Sequence, residues 1–195
     1  MKILLTAFDP FGGESTNASQ EALEALPDRV SGGELTKLLL PTVFRAAGEQ
    51  AIAAAERLGP DAVLSLGQAA GRRALTPERV AVNLMDARIP DNAGFQPADE
   101  PVVPGGPAAY FSTLPVKAMV RAMEAAGVPA QVSLSAGTFV CNSLMYTLLH
   151  WAALRAPEVR CGFLHLPLTA DLDRNAALRG LEAALEVLAG KLSAG

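Results

Sequence analysis

The most constraining feature of this chain is an alternation of short apolar runs with longer stretches in which apolar residues recur at helical spacing. Lys2–Phe8 is one such run, and Val43–Leu58 is an Ala-rich stretch of the second kind. Strands that alternate with helices build a largely parallel sheet with helices on both faces, so the pattern predicts an α/β domain. The predicted strands are Lys2–Phe8, Glu34–Leu40, Asp61–Leu66, Arg79–Met85, Ala130–Leu134 and Arg160–Leu166, and the predicted helices are Ser19–Leu26, Val43–Leu58, Leu114–Ala126, Cys141–Arg155 and Asp173–Leu192.

Two segments depart from the regular alternation. Arg79–Met85 follows an earlier strand without an intervening helix, so we expect it to pair antiparallel and to make the sheet mixed. Asp86–Gly106 is rich in proline and glycine and has no apolar periodicity. Because so long a loop is uncommon in a compact domain and tends to be functional, it is our candidate for a segment that closes over a site.

Composition limits the domain count and the class of partner. Half of the 195 residues are hydrophobic and 18% are charged, which suits one domain spanning residues 1–195. The net charge is −4 and no basic stripe occurs, so we expect neither nucleic acid nor a membrane surface as a partner. The apolar run at the N-terminus is too short for an export signal and Asp9-Pro10 interrupts it, so we expect a cytoplasmic protein with reduced thiols.

A cysteine lies where a strand-like run gives way to a helix. Ala130–Leu134 ends in a turn of small residues, and Cys141 stands at the predicted helix start. The N–H groups of a first helical turn lack intrahelical partners and carry partial positive charge, which favours a thiolate. Cys141 is therefore a candidate nucleophile, with a buried and inert thiol as the alternative. Cys161 lies mid-strand among apolar neighbours and is predicted to be a core residue.

Helical geometry separates the two histidines of the chain. His150 lies nine residues beyond Cys141 on the same helix, so it points about 180° away and lies roughly 13 Å further along the axis. His165 lies near the end of the strand Arg160–Leu166 and points at the crevice beyond the carboxyl ends of a parallel sheet. His165 is thus the candidate base for Cys141, with a core histidine as the alternative.

A third group should orient the imidazole, and spacing leaves four acidic residues open for that role. They are Asp9, Glu78, Asp86 and Asp91. The histidines and cysteines show no metal-ligand spacing, so no metal is expected. The glycine clusters match neither the dinucleotide fingerprint nor the P-loop, which argues against a nucleotide cofactor.

Several motifs in collinear order resemble the pyroglutamyl peptidase type I family, the cytosolic pyrrolidone carboxyl peptidases. The resemblance extends from Lys2 to about Pro167. The motifs that carry it are Phe8–Gly13, Gly67–Ala69, Gly71-Arg72, Thr76–Asn83, Ala87–Asn92, Gly105–Tyr110, Ala136–Asn142 and Gly162–Pro167.

The resemblance implies a fold, an activity and an assembly. The fold would be a three-layer α/β/α sandwich with an open, twisted, mixed and mostly parallel sheet. The activity would be removal of an N-terminal pyroglutamyl residue from peptides through a thioester acyl-enzyme, with no cofactor. Bacterial members are often homotetramers, so a homo-oligomer is expected.

The resemblance also implies residue roles. Cys141 would be the nucleophile, His165 the general base and acid, and Glu78 the orienting carboxylate. The Cys141 N–H would bind the oxyanion with Arg88 nearby, whereas the alternative for Arg88 is an ion pair with Asp86 or Asp91. The implied substrate-binding residues are Phe8, Phe11, Asn17, Gln68, Phe139 and Val140, and ordinary core packing is the alternative for the three phenylalanines.

The predicted pocket suits the pyroglutamyl group. The group is a flat, neutral lactam, so it needs apolar surfaces for its two faces and a few hydrogen-bonding groups for its amide edge. Two other functions stay open from the sequence. One is a cysteine amidase of another class, such as a glutamine-amide hydrolase, and the other is an inactive homologue that binds lactam-like ligands.

Overall fold

A computed structural model describes residues 1–190 and has a six-stranded sheet at its centre. The strands β1 (Lys2–Phe8), β3 (Gly33–Leu40), β4 (Ala62–Gln68) and β8 (Arg160–Leu166) are parallel. The short strands β2 (Arg29–Val30) and β5 (Thr76–Pro77) pair antiparallel at the two edges, giving the order β2-β3-β1-β4-β8-β5. The sheet is therefore mixed and mostly parallel, as predicted.

Helices cover both faces of this sheet. The helices α1 (Ala18–Ala25), α3 (Val116–Ala125) and α5 (Arg174–Leu188) pack on one face, and α2 (Ala46–Leu58) and α4 (Val140–Arg155) pack on the other. Side chains of β1 alternate between the two cores, with Ile3 and Leu5 in one and Leu4 and Phe8 in the other. Burial on both faces explains why the central strands are continuous apolar runs. The three-layer α/β/α sandwich is confirmed.

The prediction that Arg79–Met85 joins the main sheet is wrong. Only β6 (Val80–Val82) is a strand, and it pairs antiparallel with β7 (Ala109–Phe111) in a separate two-stranded sheet. Residues 75–79 already occupy the sheet edge beside β8, so the chain has left the sheet when β6 begins. The antiparallel strands that make the sheet mixed are instead β2 and β5.

The predicted strand Ala130–Leu134 is not a regular strand. It runs parallel to residues 75–79 but forms only two isolated bridges, Leu75 with Ala130 and Glu78 with Ser133. Between these bridges the ladder needs a backbone N–H at residue 77, and Pro77 has none. One proline therefore divides what the apolar pattern predicts as a continuous strand.

The other element boundaries differ from the predictions by a few residues. The largest differences are at α2, which begins at Ala46 rather than Val43, and at α5, which ends at Leu188. Residues 191 and 192 of the predicted last helix lie outside the described residues. No helix within residues 1–190 is long and apolar enough to cross a membrane. The assignment of residues 1–195 to a single domain stays a prediction.

Candidate active site

A cavity of about 720 Å³ opens beyond the carboxyl ends of the parallel strands. Its walls come from Phe11 after β1, from Gln68–Ala70 at the end of β4 and from the turn Ser135–Phe139 before α4. Cys141 and His165 both line it. The segments after β1, after β4 and before α4 therefore meet at one crevice, where open α/β sheets bind ligands.

Cys141 is the second residue of α4, and the start of this helix lacks a side-chain cap. Phe139, the residue just before the helix, makes no capping hydrogen bond with its side chain, whereas Asn17 and Asp173 cap α1 and α5 with theirs. The N–H groups of the first turn of α4 thus stay available at the cavity wall. An oxygen that gains negative charge beside Cys141 would meet these donors and the positive end of the helix dipole.

Asn142 fixes this helix start in place. Its buried amide accepts from the Val82 N–H at 2.9 Å and donates to the carbonyls of Val82 and Leu84 at 2.9 and 3.0 Å. These bonds tie the first turn of α4 to the small sheet of β6 and β7. The position of the Cys141 backbone is therefore set by a long-range contact as well as by the helix itself.

The expectation that the Cys141 thiol is acidified in the free protein is wrong. Burial raises the pKa of Cys141 to about 12, and the negative charge of Glu78 acts in the same direction. Arg72 and the residue's own N–H lower this pKa without compensating for burial. Cys141 is accordingly a neutral thiol in the resting site, and a base must remove its proton during the reaction.

His165 and Glu78 form a buried hydrogen-bonded pair. His165 Nδ1 lies 2.7 Å from Glu78 Oε1, and the two side chains are 4% and 0% exposed. Because a carboxylate only accepts, Nδ1 carries the proton and Nε2 keeps a lone pair for proton transfer. The Phe163 ring packs against the imidazole with centroids 4.7 Å apart and limits its rotation.

The charges of this pair follow from their surroundings. Burial lowers the pKa of His165, and the charge of Arg72 adds to this effect, while the hydrogen bond to Glu78 offsets part of it. Burial alone would raise the pKa of Glu78, but the hydrogen bond and charge of His165, the Ser133 side chain and the charge of Arg72 bring it below its usual value. At neutral pH the site therefore contains a neutral imidazole held by a carboxylate, which is the state required of a general base.

The structure separates the four candidate orienting carboxylates. Asp9 accepts from the Thr42 N–H at 2.6 Å, and Asp91 caps a loop by accepting from the N–H groups of Phe44 and Phe95 at 2.9 Å. Asp86 is exposed at the cavity. Among the four, only Glu78 hydrogen-bonds to His165.

Phe11, Phe139 and Arg88 line the cavity, as predicted. The Phe11 and Phe139 rings pack against each other with centroids 5.9 Å apart. Arg88 is exposed and forms no ion pair or hydrogen bond within residues 1–190, so the alternative of an ion pair with Asp86 or Asp91 is not observed.

The other predicted pocket residues lie behind the cavity or at its edge. Phe8 and Val140 are buried in the core between the sheet and α4, and neither lines the cavity. Asn17 is also buried away from it, because its amide caps α1 and donates to the Asp9 carbonyl. Gln68 does line the cavity, and its Oε1 accepts from the Ala18 N–H at 2.8 Å.

Sequence reasoning did not single out Arg72, which lines the cavity and lies 2.7 Å from Glu78. The available signal was weak, since Arg72 lies in a loop after β4, where neither helical nor strand periodicity applies. Gly67 was also missed as a site residue. A Cβ at this position would lie 2.7 Å from the Phe163 ring and 3.0 Å from Cys141 Sγ, so the Cys141 thiol packs directly over bare backbone.

The remaining histidine and cysteine lie away from the cavity. His150 Nδ1 is 2.9 Å from the Tyr110 hydroxyl, and Cys161 is fully buried in the core. Both cysteines are free thiols. Residues 1–190 contain no group of three or more His, Cys, Asp or Glu side chains that could hold a metal ion.

Known proteins with similar sequences and structures are peptidases. A model of the pyroglutamyl peptidase family matches residues 1–186. The pyrrolidone-carboxylate peptidase of Levilactobacillus brevis is 49% identical over 198 residues, covering 96% of this chain and 97% of that protein. That of Streptococcus pyogenes is 50% identical over 195 residues, covering 95% of this chain and 91% of that protein.

Crystal structures agree with the sequence matches. Pyroglutamyl peptidase I of Bacillus amyloliquefaciens superposes with a TM-score of 0.92 at 40% identity, covering 97% of both chains. Pyrrolidone carboxyl peptidase of Pyrococcus furiosus gives a TM-score of 0.92 at 37% identity, covering 99% of this chain and all of that one. These matches do not favour a cysteine amidase of another class. With a family match over nearly its whole length, this chain belongs to the pyroglutamyl peptidase family.

Proposed function

We propose that this chain hydrolyses the bond after an N-terminal pyroglutamyl residue, with Cys141 as nucleophile, His165 as base and acid, and Glu78 as the orienting carboxylate. The observation that carries the proposal is the buried His165–Glu78 pair, at 2.7 Å, whose histidine lines the same cavity as Cys141. The pair leaves His165 Nε2 as an acceptor for the thiol proton.

In acylation, His165 Nε2 takes the proton of the Cys141 thiol as Sγ attacks the α-carbonyl carbon of the pyroglutamyl residue. The carbonyl oxygen becomes an oxyanion and accepts hydrogen bonds from the open N–H groups of α4, with Arg88 nearby. The Glu78 carboxylate stabilises the imidazolium that forms. The carbon–nitrogen bond then breaks, His165 gives its proton to the leaving amine, and a thioester remains on Cys141.

Deacylation repeats these steps with water. His165 removes a proton from the water as its oxygen attacks the thioester carbonyl, and the carbon–sulfur bond breaks. The proton returns from His165 to Sγ, which restores the thiol and releases pyroglutamic acid. Because thiol and imidazole both start neutral, each half-reaction creates and then removes one ion pair in a largely buried site.

The cavity wall suits recognition of the lactam. Phe11 and Phe139 offer apolar surface to the ring, and Gln68 has its Oε1 bound to the Ala18 N–H, which leaves the Gln68 amide NH₂ as a donor for the ring carbonyl. Proline has no ring carbonyl, so it would leave that donor unpaired. We therefore expect the enzyme to reject prolyl amides.

A chromogenic pyroglutamyl amide tests the proposal. Wild type should release the chromophore, a thiol-alkylating reagent should stop the release, and Cys141→Ala should have no activity. The matched control is Cys161→Ala, which should retain most of the activity because Cys161 is a core residue. The absence of thiol-sensitive release by wild type, or hydrolysis of glutamine amides in its place, contradicts the assignment.

We further propose that the chain works in the cytoplasm as a homotetramer, in keeping with its family. Multi-angle light scattering should then give a mass near four times the 20.2 kDa of one chain. A mass of 20.2 kDa at micromolar concentration contradicts the tetramer.

A further inference from the structure

Arg72 lies where the segments that carry the three reacting groups meet. It follows β4 in a loop, and its guanidinium is one quarter exposed at the cavity. One nitrogen, Nη1, donates to Glu78 Oε1 at 2.7 Å and also to the Thr76 hydroxyl. The other, Nη2, donates to the Ser135 carbonyl at 3.1 Å.

Each of these contacts leads to a different part of the proposed machinery. The Glu78 carboxylate orients the His165 ring, and the Thr76 hydroxyl donates to the His165 carbonyl at 3.4 Å. The Ser135 carbonyl belongs to the turn that leads into α4 and Cys141. The planar fork of one guanidinium thus links the histidine, its carboxylate and the turn before the nucleophile, a geometry that arginine provides and lysine does not.

Glu78 needs such a partner because it is fully buried. Its Oε1 accepts hydrogen bonds from both His165 Nδ1 and Arg72 Nη1, while its Oε2 has no hydrogen-bond partner within residues 1–190. When His165 is neutral, Arg72 is the only cation among residues 1–190 that contacts the carboxylate. A buried carboxylate without a cation tends to take up a proton, and a protonated Glu78 would no longer accept from Nδ1–H in the same way.

We propose that Arg72 is a positioning residue, which keeps Glu78 ionised against His165 and fixes the Ser135 turn that presents Cys141. Only the predicted change in kcat rests on the proposed function. The geometry also predicts that removal of Arg72 alters the reactivity of the Cys141 thiol, which can be measured without peptidase activity. Arg72 is assigned no contact with the lactam, so its removal should lower kcat and leave KM unchanged.

The test compares Arg72→Met with Arg73→Met, a neighbouring exposed arginine that forms no ion pair within the described chain. Arg72→Met should lower kcat about 10- to 100-fold, as small misplacements of reacting groups do.

The charged and titratable groups facing His165 are Glu78 from the sheet edge, Arg72 from the loop and Cys141 from α4, with Asp86 and Arg88 across the cavity. Without the Arg72 charge His165 protonates more readily, so the acid limb of kcat/KM should move to higher pH. Arg73→Met should match wild type in both respects.

Arg72→Lys separates charge from geometry. Its single ammonium keeps the positive charge but cannot reach Thr76, Glu78 and Ser135 together, so the acid limb should stay at the wild-type pH while kcat remains lowered about tenfold. If Arg72→Met fails to fold, this variant decides alone: lowered kcat at unchanged KM supports the proposal, and wild-type kcat overturns it. A wild-type kcat in a folded Arg72→Met, or a change confined to KM, also overturns it.

Alkylation of Cys141 by iodoacetamide gives a readout that does not depend on peptidase activity. Arg72 favours the thiolate, so Arg72→Met should need a higher pH than wild type for the same alkylation rate, with buried Cys161 as an internal reference in the mass spectrum. An unchanged rate profile overturns the proposal. An inactive wild type that still shows the shift would contradict the proposed function and leave the role of Arg72 supported.

Discussion

At the scale of single residues, the hydrogen bond between Glu78 and His165 should account for much of the catalytic rate. Glu78→Gln keeps the shape of the side chain but offers an amide to Nδ1, which disturbs the tautomer that exposes the Nε2 lone pair. We expect kcat to fall by about 10²- to 10⁴-fold while the chain still folds. The measurement is steady-state hydrolysis of a pyroglutamyl amide.

Asp86→Asn is the matched control for this prediction, since Asp86 lines the same cavity without contacting His165. It should keep kcat within a few fold of wild type. A larger loss in Asp86→Asn than in Glu78→Gln would assign the orienting role to Asp86.

The two histidines should differ sharply. His165→Ala removes the proposed base and should lower kcat about 10³-fold or more. His150→Ala loses a contact with the Tyr110 hydroxyl outside the cavity and should retain most of the activity. Equal losses in kcat, measured on proteins with the same circular dichroism spectrum, would contradict the geometric choice between them.

Some of these residues could be predicted from local sequence and others could not. The choice of His165 over His150 needs only helical geometry, because both His150 and Cys141 lie on α4. The choice of Glu78 among four acidic residues needs the antiparallel edge pairing of β5 with β8, which spacing does not specify. The raised pKa of Cys141 depends on burial and on the nearby Glu78 charge, so the helix N-terminus alone gave the wrong direction.

At the scale of elements, the start of α4 depends on one buried amide. Asn142→Ala would remove three hydrogen bonds to Val82 and Leu84 and leave their partly buried backbone groups unpaired. We expect the free energy of unfolding to fall by about 3 kcal/mol, since each orphaned group costs about 1–3 kcal/mol. Urea unfolding followed by circular dichroism measures this change, and kcat should fall too because the first turn of α4 loses its anchor.

Asn92→Ala is the control for Asn142→Ala. Its amide also donates two hydrogen bonds, to Asp9 and to the Pro10 carbonyl, but the side chain is exposed and water can replace them. Its free energy of unfolding should change by less than about 1 kcal/mol. Similar losses in both variants would mean that burial of Asn142 does not decide its contribution.

The element boundaries show where apolar periodicity is sufficient to predict a strand and where it is not. The run Lys2–Phe8 becomes β1 without change, because a central strand buried on both faces shows its apolar pattern completely. Ala130–Leu134 has a similar pattern but lies opposite Pro77, and the missing N–H belongs to another segment of the chain. The loop 86–106 was predicted as a closing segment. In the structure Asp91 and Asn92 bind it to neighbouring loops, and its mobility stays untested.

At the scale of the whole molecule, the alternation of strands and helices was enough to predict the fold class, since few topologies satisfy it. The cavity was predictable only in outline, as the region beyond the carboxyl ends of the strands. Its wall includes Arg72, Asp86, Arg88 and Ile89, which come from loops without a periodic signal. Buried ionisable groups in this cavity link the site to the stability of the entire chain.

The last prediction is that this site makes folding sensitive to acid. The pKa values of His165 and Glu78 are both lowered in the folded state, from ordinary values of 6.5 and 4.5, so the unfolded chain binds more protons than the folded one below about pH 6.5. The contribution of these two groups to the free energy of unfolding is therefore complete above that pH. It should decrease as the pH falls, by about 1.4 kcal/mol for each unit of pKa shift. Urea unfolding between pH 8 and pH 4 measures this slope.

The free energy of unfolding of the double variant Glu78→Gln, His165→Asn should be less sensitive to pH than that of wild type. Cys141→Ser should keep the wild-type slope, because the thiol, with a pKa near 12, does not titrate in this range. A double variant with the wild-type slope would place the acid sensitivity elsewhere in the molecule.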